Sequence, residues 1–258
     1  MSLDSPVRYV KGVGPEVEKK LFRLGIKNIA ELLEYFPSHY EDRTRITSID
    51  EIKSGEDVLI KGAVISPVAV IDAGWGLSAF KAAVSDGNDT AWVVAWRRFN
   101  PYHRHDVFAS LRKVFEKDKD VFVWGRARIK NGVKEIDIKD YGILSGDSVG
   151  GSQVETGGIV PVYPLMEGLT QKKFRKIMKN AVRDFSRLAR DFTTAIRFIE
   201  KKTSPLSADG DKIMPRRAAI EMIHFPTDFE TLEKARRSLA FGEYLIFQTT
   251  LALARRIT

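Results

Sequence analysis

Hydrophobic residues follow two different periodicities along the chain, one typical of helices and one typical of strands. Up to about Pro37, apolar residues recur at helical spacing, first over Gly14–Leu24 and, after a break at Gly25, over Ile29–Phe36. From about residue 55 the apolar positions alternate as they do in strands, and after about residue 150 the helical spacing returns. The pattern therefore predicts an α+β chain with a strand-rich centre between two helical segments.

The strand-rich centre contains five strand-like runs, with a helical run between the third and the fourth. Turn residues at Asp86–Asp89 and at Asn131-Gly132 separate neighbouring runs. Gly62 and Gly125 fall inside strands, where a barrel corner or a close backbone approach requires glycine. This order predicts a five-stranded OB-fold β-barrel, a fold that often binds nucleic acid. We expect the strands at residues 57–65, 77–84, 91–96, 121–127 and 134–138, and the helix at 108–115.

A glycine turn precedes the first helix. Lys11-Gly12-Val13-Gly14-Pro15 opens directly into a helical pattern. Without a Cβ at Gly12 and Gly14 the backbone can approach an anion closely, and the N–H groups at a helix start favour negative charge. With Lys11 and Lys19 nearby, the spacing fits a helix-hairpin-helix that binds a nucleic-acid backbone regardless of base sequence. A helix start with a glycine turn and no ligand fits these residues equally well.

Two helical segments follow a Gly/Ser-rich link at residues 145–152. The first spans Leu169–Arg190 with Thr170 as its cap, and the second spans Asp228–Arg256 with a capping box from Thr227 to Glu230. We expect three consecutive parts: a helix-hairpin-helix segment at 1–53, the OB-fold at 54–145 and a helical connector at 146–258. The polar face of the Leu169–Arg190 helix contains only one acidic residue, Asp184, and fits either a solvent-exposed face or a DNA contact. Its eight cations are Lys172, Lys173, Arg175, Lys176, Lys179, Arg183, Arg187 and Arg190.

Composition and charge limit the kinds of partner and site that the chain can have. A formal net charge of +8 over 258 residues favours a polyanionic partner. The absence of cysteine excludes disulfides, thiolate metal sites and cysteine nucleophiles, and it fits a cytoplasmic protein. No apolar run approaches the roughly 18–20 residues that a membrane span needs, so we expect no membrane partner.

No catalytic or metal centre is expected. His103, His105 and Asp106 form a small cluster without a third committed metal ligand, which favours polar surface. His224 lies among apolar residues and is expected to be a hydrogen-bonded core or interface histidine. The sequence contains no Gly-x-x-x-x-Gly-Lys-Ser/Thr phosphate loop, so the chain alone should neither bind ATP tightly nor hydrolyse it.

Charged residues before and within the strand-rich centre are expected to have structural roles. Glu41 and Asp42 lie next to Arg43 and Arg45 and indicate a salt-bridged linker, because nothing nearby supplies a nucleophile or a metal shell. Asp140 alternates with apolar residues, as exposed strand positions do. These residues are therefore not expected to form a site.

The motifs occur in the order Val10–Pro15, Leu32–Thr44, the five strand-like runs, Ile159–Leu169, Ile223–Pro226 and Ala235–Glu243. This order resembles the N-terminal region of RecG, the bacterial branched-DNA helicase. The resemblance implies that the OB-fold is a wedge, which splits strands at a fork or a Holliday junction while a C-terminal ATP-driven motor pulls the duplex. It implies three partners, which are branched DNA, the chain's own motor domains and a single-strand DNA-binding protein. ATP and Mg would belong to the motor, and no cofactor is expected in this chain.

The resemblance also implies where DNA would bind. In the family, aromatic side chains just after the third strand stack on bases where the duplex parts, and the matching residues here are Phe99 and Tyr102. These two aromatics could instead fill the mouth of the barrel. The flanking Arg97, Arg98 and Arg104 are expected to neutralise phosphates on the diverging strands. On the fourth strand, Arg126, Arg128 and Lys130 could extend this basic track, although alternate residues on a strand fit a solvent-exposed face equally.

The function expected from these residues is structure-specific binding of branched DNA and strand separation at the branch point. One alternative is a scaffold that positions the motor or docks a protein partner. A second alternative is a general OB-fold protein that binds single-stranded DNA or RNA.

Overall fold

The computed structural model describes residues 1–98, 106–144, 157–189 and 213–257. Within these ranges the chain is an α+β protein, as expected. The helices are α1 (Pro15–Arg23), α2 (Ile29–Leu33), α3 (Ala109–Val114), α4 (Gln171–Phe185), α5 (Arg216–His224) and α6 (Phe229–Ile257). The strands are β1 (His39–Asp42), β2 (Asp57–Val64), β3 (Ala69–Asp72), β4 (Leu77–Ser85), β5 (Thr90–Arg98), β6 (Asp120–Lys130), β7 (Val133–Ile143) and β8 (Ile159–Val162).

Each of the five expected strands is present, as β2, β4, β5, β6 and β7. Together with β3 they form a six-stranded mixed sheet in the order β2-β6-β7-β5-β4-β3, and β2 also pairs with β4 through Ala63 and Val64. The β5–β7 pair is parallel, and the other pairs are antiparallel. The sequence pattern missed β3, because this short strand is exposed along its whole length and carries no alternating burial.

Alternation along the strands separates a buried face from an outer face. On β5, Ala91, Val93 and Ala95 belong to the apolar core, whereas Trp96 between Ala95 and the strand end is half-exposed. Helix α3 covers this core, and Phe80 on β4 packs against the rings of Phe108 and Phe115 at the two ends of α3. The outer face is therefore exposed at the end of β5, although Val94 on the same face is buried.

Two glycines allow strands to approach closely, as expected. A Cβ on Gly62 would lie 2.3 Å from the carbonyl oxygen of Ser85, and a Cβ on Gly125 would lie 2.2 Å from that of Asp137. Gly125 also follows a register shift between β6 and β7. Any larger residue at either position would force the backbone of the neighbouring strand to move.

The chain folds into two compact units, one of residues 1–41 with 159–258 and the other of residues 42–158. In the first unit, apolar residues of α1 and α2 share a core with those of α4, α5 and α6, including Leu21, Leu32 and Phe174. The three parts expected from the sequence, with boundaries at residues 53 and 145, are each continuous along the chain. In the structure, residues from both ends of the chain pack around one core. We call these the helical unit and the sheet unit.

The helix caps differ in part from the expectation. Thr170 caps α4 as expected, with its hydroxyl accepting from the Lys173 N–H. Helix α6 is capped by Asp228 and not by Thr227, because the Asp228 carboxylate accepts from the Thr231 N–H at 2.6 Å. Arg175 was expected on the cationic face of α4, but it is buried and donates to the Pro161 carbonyl oxygen at 3.4 Å.

His224 is a fully buried core residue, as expected. Its Nε2 lies 2.8 Å from the carbonyl oxygen of Leu33, and its Nδ1 lies 2.9 Å from the hydroxyl of Tyr163. A carbonyl oxygen can only accept, so Nε2 carries the proton and Nδ1 accepts from Tyr163 in the neutral ring. Burial lowers the pKa of His224 to about 4, although the bond to Leu33 opposes this shift.

We expect the helical unit to lose stability as the pH falls from 7 to 4. A histidine in the unfolded chain ionises near 6.5, whereas the pKa of His224 in the folded chain is about 4. Between these values the unfolded state binds more protons, so the free energy of unfolding decreases as the pH is lowered. The difference corresponds to about 3 kcal/mol, which is fully present above about pH 6.5.

Chemical denaturation at a series of pH values measures this contribution. The matched control is His224→Gln, which keeps a donor and an acceptor but does not ionise. Carboxylates contribute equally to both chains, so the difference between their pH profiles isolates His224. Parallel profiles for the two chains would contradict the assignment.

Candidate nucleic-acid interface

Strand β5 ends in an exposed aromatic and two exposed arginines. Trp96 is 47% exposed, and Arg97 and Arg98 follow it along the strand. Their cross-strand partners on β4 are Ala79, Ser78 and Leu77, respectively, so no acidic residue lies directly opposite on that strand. Within the described ranges, neither arginine forms an ion pair. The end of β5 therefore combines an apolar ring with unneutralised positive charge.

Several predicted site residues follow directly on this strand but lie outside the described residues. These are Phe99, Tyr102 and Arg104, whose assignment as DNA contacts stays a prediction. His103 and His105 lie there as well. Among the residues that the structure describes, no group of three histidine or acidic side chains could hold a metal ion.

The basic residues of β6 are partly neutralised by aspartates. Arg126 lies 3.3 Å from the carboxylate of Asp57, and Arg128 lies 2.6 Å from that of Asp137. Lys130 ends the strand and is exposed. Exposed ion pairs contribute little stability, but each of these carboxylates lowers the positive potential that a phosphate would meet. The predicted basic track on this strand is thus weaker than the sequence alone indicates.

The glycine turn before α1 is fixed against α4. Gly12 has a φ of 101°, and a Cβ at this position would lie 3.4 Å from Cγ1 of Ile177. The side chain of Asn180 donates to the Lys11 carbonyl oxygen at 2.8 Å. Gly14 is the N-cap of α1 with φ −94°, and a Cβ there would meet nothing within 4 Å. The turn thus needs glycine at residue 12 for its conformation, and it is joined to a second element.

This contact places Lys11 on the cationic face of α4. Residues three, four and seven positions from Asn180 lie on the same side of α4, and they include three exposed cations. Arg187 is exposed in the 3-10 turn that directly follows α4. Arg183, and to a smaller extent Lys11 and Arg187, hold the pKa of Asp184 below its usual value. These charges therefore lie close together. We call the following residues the basic stripe: Lys11, Lys173, Lys176, Arg183 and Arg187.

Lys19, also predicted as a contact, is not part of the stripe. It is exposed on α1 and lies 3.0 Å from the carboxylate of Glu16, whose pKa it lowers. The sequence could not reveal that Lys11 and α4 share a surface, because Lys11 and Asn180 are 169 positions apart.

The hairpin between β3 and β4 exposes an aromatic residue that sequence reasoning missed. Trp75 at its tip is fully exposed and has a φ of 54°, between Gly74 and Gly76, which also have positive φ values. The Asp72 carboxylate accepts from the Gly74 N–H at 2.9 Å and the Ala73 N–H donates to the Leu77 carbonyl at 2.9 Å. The signal in the sequence is a tryptophan enclosed by two glycines shortly after the apolar run at residues 69–71.

In the described ranges, no helix combines the length and the apolar character that crossing a membrane requires.

Comparison with known proteins identifies the relatives. The chain is 29% identical over 256 residues to the ATP-dependent DNA helicase RecG of Thermotoga maritima, covering 99% of this chain and 30% of that protein. It is 28% identical over 259 residues to the RecG of Streptococcus pneumoniae, covering 99% of this chain and 33% of that protein. The chain thus spans about a third of the length of these relatives.

A solved structure of RecG bound to a three-way DNA junction superposes with a TM-score of 0.74 at 28% identity, covering 99% of this chain and 32% of that one. The family model of the RecG wedge domain matches residues 6–184, which is more than half of the sequence and includes the sheet unit, the glycine turn and most of α4. The chain therefore belongs to the RecG wedge domain family.

Proposed function

We propose that this chain binds branched DNA, such as replication forks and Holliday junctions, and separates the strands at the branch point. It would do so as the DNA-binding part of a longer ATP-dependent helicase. The observation that carries the proposal is the end of β5, where exposed Trp96, Arg97 and Arg98 lead into the segment that contains Phe99. Membership of the RecG wedge family and the likeness to a junction-bound RecG support the proposal.

The strand pairing supports a closed OB-type barrel. Strands β2, β4, β5, β7 and β6 each pair with the next, β6 pairs back to β2, and α3 lies between the third and fourth of these strands in the chain. In OB-folds the face of the second and third strands binds oligonucleotides. Here those strands are β4 and β5, and Trp96 lies on their outer face.

The chemistry at this rim suits a parting duplex. Where the strands of DNA diverge, each terminal base loses one stacking neighbour. An aromatic ring at Phe99 or Tyr102 can replace that neighbour for any base, because every base presents a π-face. Arg97, Arg98 and Arg104 would neutralise phosphates of the two diverging strands, so that these strands are held apart.

The helical unit would hold a duplex arm. Its glycine turn and basic stripe present backbone N–H groups and cations without any arrangement for reading base edges. Contacts of this kind position a protein on DNA but carry no sequence information. We therefore propose that the two units have different roles: the sheet unit binds the branch point, and the helical unit binds the duplex backbone.

We expect Phe99→Ala to weaken binding to a fork by about 1–3 kcal/mol, the scale of one base stack. Binding to a blunt duplex should change little, because paired bases offer no free face. Tyr102→Ala should act in the same direction. Fluorescence anisotropy with a labelled fork and a duplex of equal length, both at one salt concentration, measures the difference.

Phe99→Tyr is the matched control, since it keeps an aromatic ring, and thermal melting checks the fold of each variant. Equal losses on fork and duplex, or a large fall in melting temperature, would show that Phe99 is a packing residue.

A docking scaffold is the second candidate function, and α6 favours it. Tyr244, Phe247 and Leu253 on this helix are more than half exposed, an apolar surface that a following domain could cover. A scaffold makes no use of an aromatic at the barrel rim. Unchanged fork affinity in Phe99→Ala would therefore favour this second function.

A further inference from the structure

The β3–β4 hairpin and the end of β5 form one continuous surface. Ile71 pairs with Ala79, and Ala79 pairs with Trp96, so these three side chains stand in one row on the outer face of the sheet. Two strand spacings separate Ile71 from Trp96, about 10 Å. Ala79 between them is buried, whereas Ile71 and Trp96 are each about half exposed, so the row presents one apolar patch on the outer face.

The hairpin tip extends this patch. Trp75 lies two residues before Leu77, whose direct partner across the strand pair is Arg98. The indole of Trp75 is fully exposed, whereas buried Trp124 in the same unit shows how this residue type is usually accommodated. Within the described part of the chain, this large aromatic ring therefore gains no stability from packing.

Charge indicates what would cover this surface. Arg97 and Arg98 lie at the same end of the sheet as the hairpin tip, and neither has an ion-pair partner among the described residues. The nearest carboxylate in the hairpin, Asp72, is directed at the Gly74 N–H. Exposed aromatic rings beside unpaired arginines are the combination with which proteins bind single-stranded nucleic acid without sequence preference.

We propose that the β3–β4 hairpin is a second single-strand contact, in which Trp75 stacks on an unpaired base and Arg98 neutralises a neighbouring phosphate. It differs from the contact expected at Phe99 and Tyr102, which belong to the segment after β5. The proposal rests on the proposed function in that DNA is taken as the partner. It adds that one exposed strand runs from the branch over the outer face of β4 and β5. In OB-folds the loop between the first two barrel strands, which here contains this hairpin, contributes to oligonucleotide binding.

The test uses the whole chain with three probes: labelled oligothymidine, a fork with one single-stranded arm, and a blunt duplex. We expect Trp75→Ala to weaken binding to oligothymidine and to the armed fork by about 5- to 150-fold, the effect of losing one base stack. Duplex binding should be unchanged. Trp75→Phe keeps a stacking ring and should retain most of the affinity.

Arg98→Gln supplies an independent readout. It should lower the magnitude of the log–log salt slope for oligothymidine by about 0.7, the value for one phosphate on a single strand. The Trp75 side chain is fully exposed, so its replacement should leave the melting temperature unchanged and folding cannot obscure the result.

The outcomes distinguish this inference from the proposed function. If the unaltered chain does not bind forks more tightly than duplex, the proposed function is overturned, regardless of the affinities of the Trp75 variants. If the unaltered chain prefers forks but Trp75→Ala binds oligothymidine and the armed fork normally, only the hairpin contact is overturned. In that case the exposed hairpin would be a protein-docking surface.

Discussion

Arg43→Met is expected to lower the free energy of unfolding of the sheet unit by about 3–5 kcal/mol, the usual cost of removing one partner from a buried ion pair. Arg43 is 2% exposed, and its Nη1 lies 2.8 Å from the carboxylate of Asp140. Without the guanidinium, the Asp140 carboxylate would keep a buried charge with its principal counter-charge removed. Denaturant unfolding followed by tryptophan fluorescence measures the loss.

The position of Arg43 explains why so large an effect is expected. Its guanidinium also lies 5.1 Å from the centre of the Trp124 ring, and its backbone N–H donates to the Gly158 carbonyl oxygen at 2.8 Å. Arg43 thus ties the start of the sheet unit to β6, to β7 and to the end of the same unit. An isolated surface pair would contribute at most about 1 kcal/mol.

The double variant Arg43→Met/Asp140→Leu is the control. Because it removes both charges together, it should lose less stability than the sum of the two single changes. A strictly additive double variant, or a loss below about 1 kcal/mol for Arg43→Met, would contradict a buried pair that supports the fold.

Arg43 also shows what sequence reasoning could not reach. Its neighbours Glu41 and Asp42 indicate a salt-bridged linker, and Asp140 has the spacing of an exposed strand residue. Arg43 does form a salt bridge, but its partner is Asp140, 97 positions away. Both residues are buried, so the expected exposure of Asp140 is wrong. Local pattern contains no information about a partner so far away. The five strands, by contrast, could be predicted because alternation and turn residues act over a few positions.

The candidate site also combines features that the sequence predicts with features that it could not predict. The cations of α4 are visible as a periodic face, but their link to the glycine turn depends on the bond from Asn180 to Lys11. Arg175 has the spacing of that face, yet it is buried. Trp75 was missed because exposure of an aromatic residue cannot be read from its neighbours. Phe99 and Tyr102 came from family resemblance alone, and they remain predictions.

Duplex binding by the helical unit should depend steeply on salt. If the five cations of the basic stripe each neutralise one phosphate, the stripe contributes about −4.5 to the log–log slope. Raising the salt concentration from 50 to 200 mM would then lower the affinity for duplex DNA roughly 500-fold. The exposed stripe consists of cations along α4 with Lys11 and Arg187 beside them, and it contains no aromatic ring, so it suits the backbone of a duplex arm better than the bases of a single strand.

Paired charge variants separate a specific surface from net charge. Lys173→Gln/Lys176→Gln should reduce the magnitude of the slope by about 1.8, since two phosphate contacts are lost. Lys234→Gln/Arg237→Gln on α6 changes the net charge equally and should leave the slope unchanged. Asp184→Asn should strengthen duplex binding, because this carboxylate opposes Lys11, Arg183 and Arg187. If both double variants lowered the slope equally, the binding would reflect the overall charge of the chain, and the stripe would not be a duplex contact.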